Sequence, residues 1–314
     1  MKKIFFLILF IINGVILLQS CKRQEEIEEN QTNLNYKYRT YVRNNMLVFE
    51  TKADFDYTIY QLYELDDKAL FDFEDYLSFQ SLRSVKSEEE LSRLGIEDDL
   101  LATLLNPNGE IQINDKVYKL EINKAKCLSM DVADYIDKNS FTKKELVTEY
   151  SIYDYLDDNG NVVITGKGSS CSRNKKGPYY FINPNTNEKI LEYKLVYQNA
   201  LIYHSLLAKI KRTDLSSGGP INFGMNTVGG NNFYRKDGTS FDISINFSYY
   251  GNDRKYVKRY EYKLEAYKLE VQFFANDVTN SSLSWIDTKM ISCSSSSGGG
   301  GGSDAINFGA AEIE

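Results

Sequence analysis

Ile111-Gln112-Ile113-Asn114-Asp115-Lys116-Val117-Tyr118-Lys119-Leu120 is the stretch in which the chain changes its period. Two short alternating runs flank Asn-Asp-Lys, a hairpin signal. Just ahead of them, Asn106-Pro107-Asn108-Gly109 stops a region whose apolar residues recur at helical spacing. Helices followed by hairpins, rather than alternating with single strands, imply an α+β fold.

Working upstream, Met46-Leu47-Val48-Phe49 reads as a short strand. Thr51, with Asp54 three residues on as in a capping box, then opens a helical pattern through Phe55, Ile59, Leu62 and Tyr63. A second helix starts at Asp66 or Asp67 and runs through Leu70, Phe71, Phe73 and Leu77. Ser87-Glu88-Glu89-Glu90 is another capping-box signature, opening a helix with Leu91 and Leu94, and helical character continues from Ile96 to Leu105.

Working downstream, Met130–Ile136 and Thr142–Leu146 read as short helices or a loop excursion. Asp157-Asp158-Asn159-Gly160-Asn161 is a turn, and Val162-Val163-Ile164 begins something extended. A boundary near Gly166–Ser169 closes the first unit. Tyr179–Ile182 and Ile190–Tyr193 then flank Asn183-Pro184-Asn185-Thr186-Asn187, a loop of turn formers. Leu195–Ile210 is a long strand-compatible run whose apolar residues keep no single parity. Asp242–Ser248 alternates, with Ile243, Ile245 and Phe247 on one face. Tyr256, Tyr260, Tyr262 and Leu264 share one parity, and Tyr267, Leu269, Val271 and Phe273 share the other, so a bulge is expected around Glu265–Ala266. The reading is therefore α+β: a small N-terminal helical and hairpin domain over residues 41–165, then an antiparallel β-sandwich-like domain over residues 166–293. Residues 294–314 form a Ser/Gly-rich flexible tail, in which Ile306-Asn307-Phe308-Gly309 repeats Ile221-Asn222-Phe223-Gly224. That tail segment has the make-up of a strand to be added to a sheet edge, set against a loose terminus with stray apolar residues.

Charge divides along a similar line. Cys21–Asn159 carries 17 Lys+Arg against 30 Asp+Glu, a net of −13, while Gly160–Glu314 carries 18 against 14, a net of +4. Two units with different surfaces are implied. Neither half holds a basic stripe, so nucleic acid is not a partner. The 24 Tyr against one Trp fit a coding bias better than a dedicated aromatic platform.

Catalytic and metal constellations are sparse. His204 is the single His and sits beside Tyr203 in an apolar run, as a structural His does. It cannot supply a multi-His metal site, and no Ser-His-Asp order surrounds it. Paired carboxylates, as in glycosidases, stay open, but nothing selects two among so many. Setting Gly160 at the sixth position of an EF-hand loop puts Tyr155 first and Gly166 twelfth, so the calcium pattern fails. Gly166-Lys167-Gly168-Ser169 lacks the upstream Gly of a phosphate loop. No cofactor and no metal is expected.

The N-terminus carries a more specific pattern. Lys2 and Lys3 precede an apolar run from Ile4 to Leu18, closed by Leu18-Gln19-Ser20-Cys21. A core this short, charged only in front, reads as a secretory signal over residues 1–20 rather than a membrane span. The tetrapeptide resembles a bacterial lipobox, departing from it at Gln19. That resemblance implies lipidation of Cys21 and anchorage to the membrane through that lipid. Residues 21–40 form an acidic tether, and the cluster after Cys21 also resembles the export signal of Bacteroidota surface lipoproteins; a plain solvated spacer is the alternative. Met46–Phe49 before a helix, Phe79-Gln80-Ser81-Leu82-Arg83, and Asn108–Ile113 before Val117-Tyr118 resemble a recurrent domain of uncharacterised Bacteroidota lipoproteins, over about Asn45–Glu121. It implies a cell-envelope location and no assigned activity.

With Cys21 lipidated, Cys127, Cys171 and Cys293 allow three single pairings in an oxidising compartment. Cys171–Cys293 is favoured, because both lie in Ser-rich segments bracketing the β unit. The expectation is an exported, outer-membrane lipoprotein facing the cell surface, a binding or adhesion module without catalysis for a glycan, peptide or protein ligand. The alternatives are a fimbria-like or envelope-assembly subunit, and a surface hydrolase with paired carboxylates.

Overall fold

The computed structural model describes residues 37–293 apart from 64–66, 139–140, 142–143, 165–173, 214–219, 230–232, 236–239, 242–243, 252–254 and 262–263. The signal segment, Cys21, most of the tether, Cys171, Ile243 and the tail thus lie outside the described residues.

The chain opens with β1 (Tyr41–Arg43) and β2 (Met46–Phe49), turned at Asn44 and Asn45, whose φ of 51° and 54° is the left-handed region that Asn tolerates. Helix α1 (Lys52–Leu62) starts where the sequence places it, with the Thr51 side chain accepting from the Asp54 N–H at 3.1 Å. Helices α2 (Asp67–Tyr76), α3 (Leu82–Val85), α4 (Glu88–Arg93) and α5 (Asp99–Leu104) follow, and Ser87 and Glu90 complete the capping box on α4. Next come β3 (Glu110–Ile113), β4 (Lys116–Glu121), β5 (Lys126–Asp131), α6 (Val132–Lys138) and β6 (Thr148–Ser151). These strands form one sheet in chain order, β1 to β6. Only β2 and β3 pair in parallel, so α1–α5 make the crossover between them and bury their apolar faces there. The Val117–Leu120 hairpin arm falls where expected, while β1, β5 and β6 were not marked by the sequence pattern.

β7 (Tyr155–Leu156) and β8 (Val162–Val163) close a small hairpin on the Asp157–Asn161 turn. The second unit holds β9 (Asn174–Ile182), β10 (Lys189–Asn199), β11 (His204–Arg212), β12 (Ile221–Thr227), β13 (Phe233–Arg235), β14 (Ser240–Phe241), β15 (Asn246–Gly251), β16 (Lys255–Glu261), β17 (Leu264–Asp277) and β18 (Ser284–Cys293). One antiparallel sheet runs β16-β11-β10-β9. The other is built on β17, with β18 on one edge and β12, then β15, on the other; the β13–β14 pair continues that second edge. The two sheets face each other across a single apolar cluster, with Leu191, Tyr193 and Leu195 from the first against Leu269, Val271 and Phe273 from the second. The mixed α+β reading holds.

One detail corrects the sequence reading, and a second bears it out and adds to it. Leu195–Ile210 is two antiparallel strands, β10 and β11, joined through Ala200–Tyr203, rather than one long strand. Its parity is lost because both faces are buried: Val196 and Leu207 pair across the strands on the side away from the sandwich core, at 0% and 1% exposure. The parity switch near Glu265 has two causes. Ala266 and Leu264 oppose successive residues of β13, which leaves Glu265 as a bulge, and β16 and β17 belong to different sheets.

The charge division has a structural meaning that composition alone did not show. The outward face of β10 and β11 carries Lys194 and Lys209, and the segment from α4 to α5 lays its carboxylates on them. Glu97 holds Lys194 at 3.0 Å and Lys175 at 2.7 Å, and its backbone N–H donates to Gln198 Oε1 at 2.9 Å. Asp98 accepts from Tyr203 OH at 2.7 Å and Ser205 Oγ at 2.6 Å. Lys209 reaches Glu88 at 3.0 Å and Asp99 at 3.3 Å. The Ala200–Tyr203 loop inserts into the first unit's core, where Leu201 N–H donates to Ile152 O at 3.0 Å. Part of the acidic excess and part of the basic excess thus meet in one contact.

Burial works against the Glu97 carboxylate, yet Lys194, Lys175 and Ser92 more than offset it and hold its pKa below the usual carboxylate range. Burial and the Lys209 charge push the Lys194 pKa down despite Glu97. A charged Lys194 therefore costs more than Glu97 returns, and the pair fixes register more than it adds stability. Because the folded pKa of Glu97 is depressed, its contribution is full above the ordinary Glu range and is lost as pH falls through the folded value. Glu97→Gln is expected to cost about 3–5 kcal/mol at pH 7 by stranding a buried ammonium. The double variant Glu97→Gln/Lys194→Met should recover most of that loss. Urea midpoints of the two variants check this, and a double variant no more stable than the single would refute it.

Candidate functional site

The second sheet has one face in the sandwich core and one turned outward, and register fixes which residues share the outward face. Across β15, β12, β17 and β18, one rank reads Asn246, Asn226, Gln272, Thr288. The next reads Ser248, Gly224, Phe274, Ile286, and the third Tyr250, Asn222, Asn276, Ser284. The intervening residues Phe223, Met225, Phe273 and Ala275 are fully buried, so the alternation is that of a half-buried sheet. None of the twelve outward positions is charged, in a chain of which 26% is Asp, Glu, Lys or Arg. Among the described residues, charge resumes at the end of the face, where Lys268 and Glu270 pair at 3.5 Å.

Its middle is shaped by Gly224. A Cβ there would lie 2.5 Å from the Phe274 ring and 2.0 Å from the Phe247 carbonyl, so only glycine lets the ring lie against the sheet. Ser248 Oγ donates to Asn222 Oδ1 at 3.0 Å, which fixes the end of that amide that accepts. Tyr250 and Ile286 are 61% and 66% exposed at opposite sides. The chemistry is that of amides and hydroxyls, each both donor and acceptor, set around an aromatic ring at strand spacings of about 4.8 Å. Such a set matches a ligand whose own groups both donate and accept and which brings no charge.

Other candidates have structural partners. His204 is buried, with Nδ1 3.2 Å from Asn199 Oδ1 and Nε2 3.3 Å from Leu201 O, in the loop that enters the first unit. The lone Trp285 donates from Nε1 to Ile182 O at 3.1 Å and packs near Phe181, covering the open side of the sandwich. Beside it, Tyr193 OH donates to Asp287 at 2.5 Å, and burial, then that carboxylate, pushes the Tyr193 pKa up. Among the described residues no cluster of His, Cys, Asp and Glu has the makings of a metal site, and no helix is long and apolar enough to cross a membrane. The Asp157 carboxylate, which the calcium reading tested, accepts from Asn159 N–H at 2.9 Å and Asn161 N–H at 2.8 Å, closing the turn.

No family model matches the chain, and no curated protein matches it. A solved structure similar to it is a DUF4848 family protein from Bacteroides thetaiotaomicron VPI-5482. That protein is 11% identical, with 80% of this chain and 100% of that one covered, at a TM-score of 0.21. A likeness at that score carries no argument about fold or function.

Of the residues singled out in the sequence, Cys21 and Cys171 lie outside the described residues. Cys127 is buried and free, and burial pushes its thiol pKa up, as for an inert core cysteine. Cys293, half-buried at the end of β18, is disulfide-bonded. We propose Cys171 as its partner. Asn174, three residues after Cys171, is in register with Tyr197; the Tyr197 ring lies 4.7 Å from that of Tyr267, which is in register with Cys293. The bond would close a loop spanning the whole sandwich and contribute about 2–4 kcal/mol. The amide-rich face left a partial signal in sequence: Asn222 and Asn226, Asn246 and Ser248, and Gln272 and Asn276 each share a parity, with Gly224 between the first pair and Phe274 between the last. Mass mapping without reduction is expected to recover a peptide linking Cys171 and Cys293, and a free Cys171 thiol would exclude the pairing.

Proposed function

We propose that this protein is an exported lipoprotein, anchored through Cys21, that binds an uncharged glycan on the outward face of its second sheet without catalysis. The observation that carries the reading is the twelve-position face without a formal charge, centred on Phe274 above Gly224. Neutral sugars present hydroxyls that donate and accept, and C–H faces that stack on aromatic rings. An acidic glycan would find no counter-charge among these positions. The hydrolase alternative is disfavoured at the buried carboxylates: Glu97, Asp98 and Asp99 are engaged with lysines, Tyr203 and Ser205 in the contact between the units.

Export, anchoring and outward display rest on the Met1–Cys21 pattern and the acidic tether. The tether supports display because charged linkers extend and hold a domain away from its anchor.

A panel of neutral and acidic polysaccharides, screened with residues 22–314, is expected to show binding to neutral members. That binding should persist in 0.5 M salt, which screens charge contacts beyond about 4 Å. Phe274→Ala should weaken it on the order of tenfold, as loss of one stacking contact of about 1.4 kcal/mol requires. Binding confined to acidic polysaccharides, an unchanged Phe274→Ala variant, or turnover of a bound glycan would each overturn the reading. For location, surface proteolysis of intact cells should shave the wild type, and Cys21→Ala should release it from the membrane fraction. An anchored chain protected from the protease would face the periplasm instead.

A further inference from the structure

The carboxylates that the first unit lays on the outer face of β10 and β11 differ in how they are held. Glu97 lies between Lys175 and Lys194, accepts from Ser92 Oγ at 2.7 Å, and is kept ionised by these contacts. Asp98 takes the hydroxyls of Tyr203 and Ser205. Glu88 sits at the rim, 43% exposed, where Lys209 and Lys211 both reach it. Asp99 is enclosed: its side chain is 8% exposed, and its Oδ2 lies 3.3 Å from Nζ of Lys209, which is 2% exposed.

Register gives Lys209 an unfavourable neighbour. Lys194 and Lys209 stand directly opposite each other on β10 and β11, and both are buried. Like charges so placed repel, and burial adds a desolvation cost to each ammonium. Turning one of the two into a neutral group relieves both costs, and a neutral amine is a nucleophile. A proton released from Nζ has a receiver, because Glu88 Oε1 lies 3.0 Å from it and is part-exposed to water. Lys209 thus touches two carboxyl groups of different kinds: Asp99, enclosed and placed to be attacked, and Glu88, solvated and placed to move protons. Fixed contact of this sort makes a condensation unimolecular.

We propose that Lys209 and Asp99 become joined by an isopeptide bond, formed within the folded chain with Glu88 relaying the protons. Glu88 takes one proton from the ammonium, the freed Nζ attacks Asp99 Cγ, and the new C–N bond displaces one carboxylate oxygen. That oxygen leaves as water with two of the three ammonium protons, and the third stays on the amide nitrogen. The pair is neutral in sum before and after, and nothing is oxidised or reduced. Two buried charges give way to one amide, whose N–H and C=O cost less to bury. The bond joins residues 110 apart in sequence, a second covalent link between units that the backbone connects between β8 and β9. Glu97 is the poorer target, since a carboxylate held ionised by two lysines resists attack by an amine. The assignment does not depend on what the outward face of the second sheet binds.

The intact mass of residues 22–314, unfolded and reduced, tests it. The wild type should fall short of its sequence by one water, whereas Lys209→Arg and Asp99→Ala should each carry the full mass. Trypsin should fail to cut after Lys209 and should release a branched peptide joining Leu94–Lys116 to Leu195–Lys211. Glu88→Gln should slow the condensation on the order of a hundredfold, so that freshly purified protein keeps the full mass. A wild-type mass equal to the sequence would overturn the proposal, and that measurement needs no variant to fold. So would a lost water that maps to other residues or persists in Lys209→Arg. Condensation of Glu88→Gln as fast as the wild type would overturn the proton relay.

Discussion

The helical unit is seated on the sandwich by the contact of Glu97 with Lys194 and Lys175. One carboxylate, 4% exposed, holds two ammonium groups from β9 and β10, and its own peptide N–H is held by Gln198. Around it Asp98 and Asp99 repeat the arrangement on Ser205, Tyr203 and Lys209. Ion pairs this buried add little net stability, since desolvation cancels most of the attraction. What they penalise is any seating of the helical unit on the sheet that strands one of these buried charges. Apolar contacts alone, Val196 and Leu207 with the inserted Ala200–Tyr203 loop, would tolerate sliding.

The same contact explains which parts of the fold were legible in sequence. Local signals that need only neighbouring residues were: the Ser87–Glu90 box, the Thr51 cap and the hairpin at Asn114. Features set by distant partners were not. The Leu195–Ile210 run looked like one strand without a face because both of its faces are covered, one by the second sheet and one by α4–α5. The excess of acid in one half and base in the other read as two separate surfaces, whereas part of that charge is buried between them. β5, Lys126-Cys127-Leu128-Ser129-Met130-Asp131, escaped notice because its buried positions include Ser129 and Cys127, which carry weak apolar signal.

The candidate site was hidden for a further reason. Asn, Ser and Gln at alternate positions look like any solvated strand face, and only the pairing of four strands shows that they form one continuous surface. Gly224 gives no hint of its role until Phe274 is seen across it. Tyrosines such as Tyr193, Tyr197 and Tyr267 fill the core, others such as Tyr60 and Tyr250 are exposed, and the single Trp285 donates to the Ile182 carbonyl beside the sandwich core. The ring central to the proposed site is a phenylalanine.

A sandwich has two outer faces, and here they are put to opposite uses. The outer face of β10 and β11 is charged and apolar, and it is buried under the helical unit. Among the described residues, that leaves the outer face of β12, β15, β17 and β18 as the broad sheet surface open to solvent. Its lack of charge is therefore not a side effect of burial, since Asn246, Ser248, Tyr250, Asn276 and Ile286 are exposed. Solvent-facing strands ordinarily take Lys and Glu, which keep sheets soluble and apart. A face that forgoes them across four strands gives up that protection, and recognition of an uncharged, hydroxyl-rich ligand is a function that charged side chains there would impair.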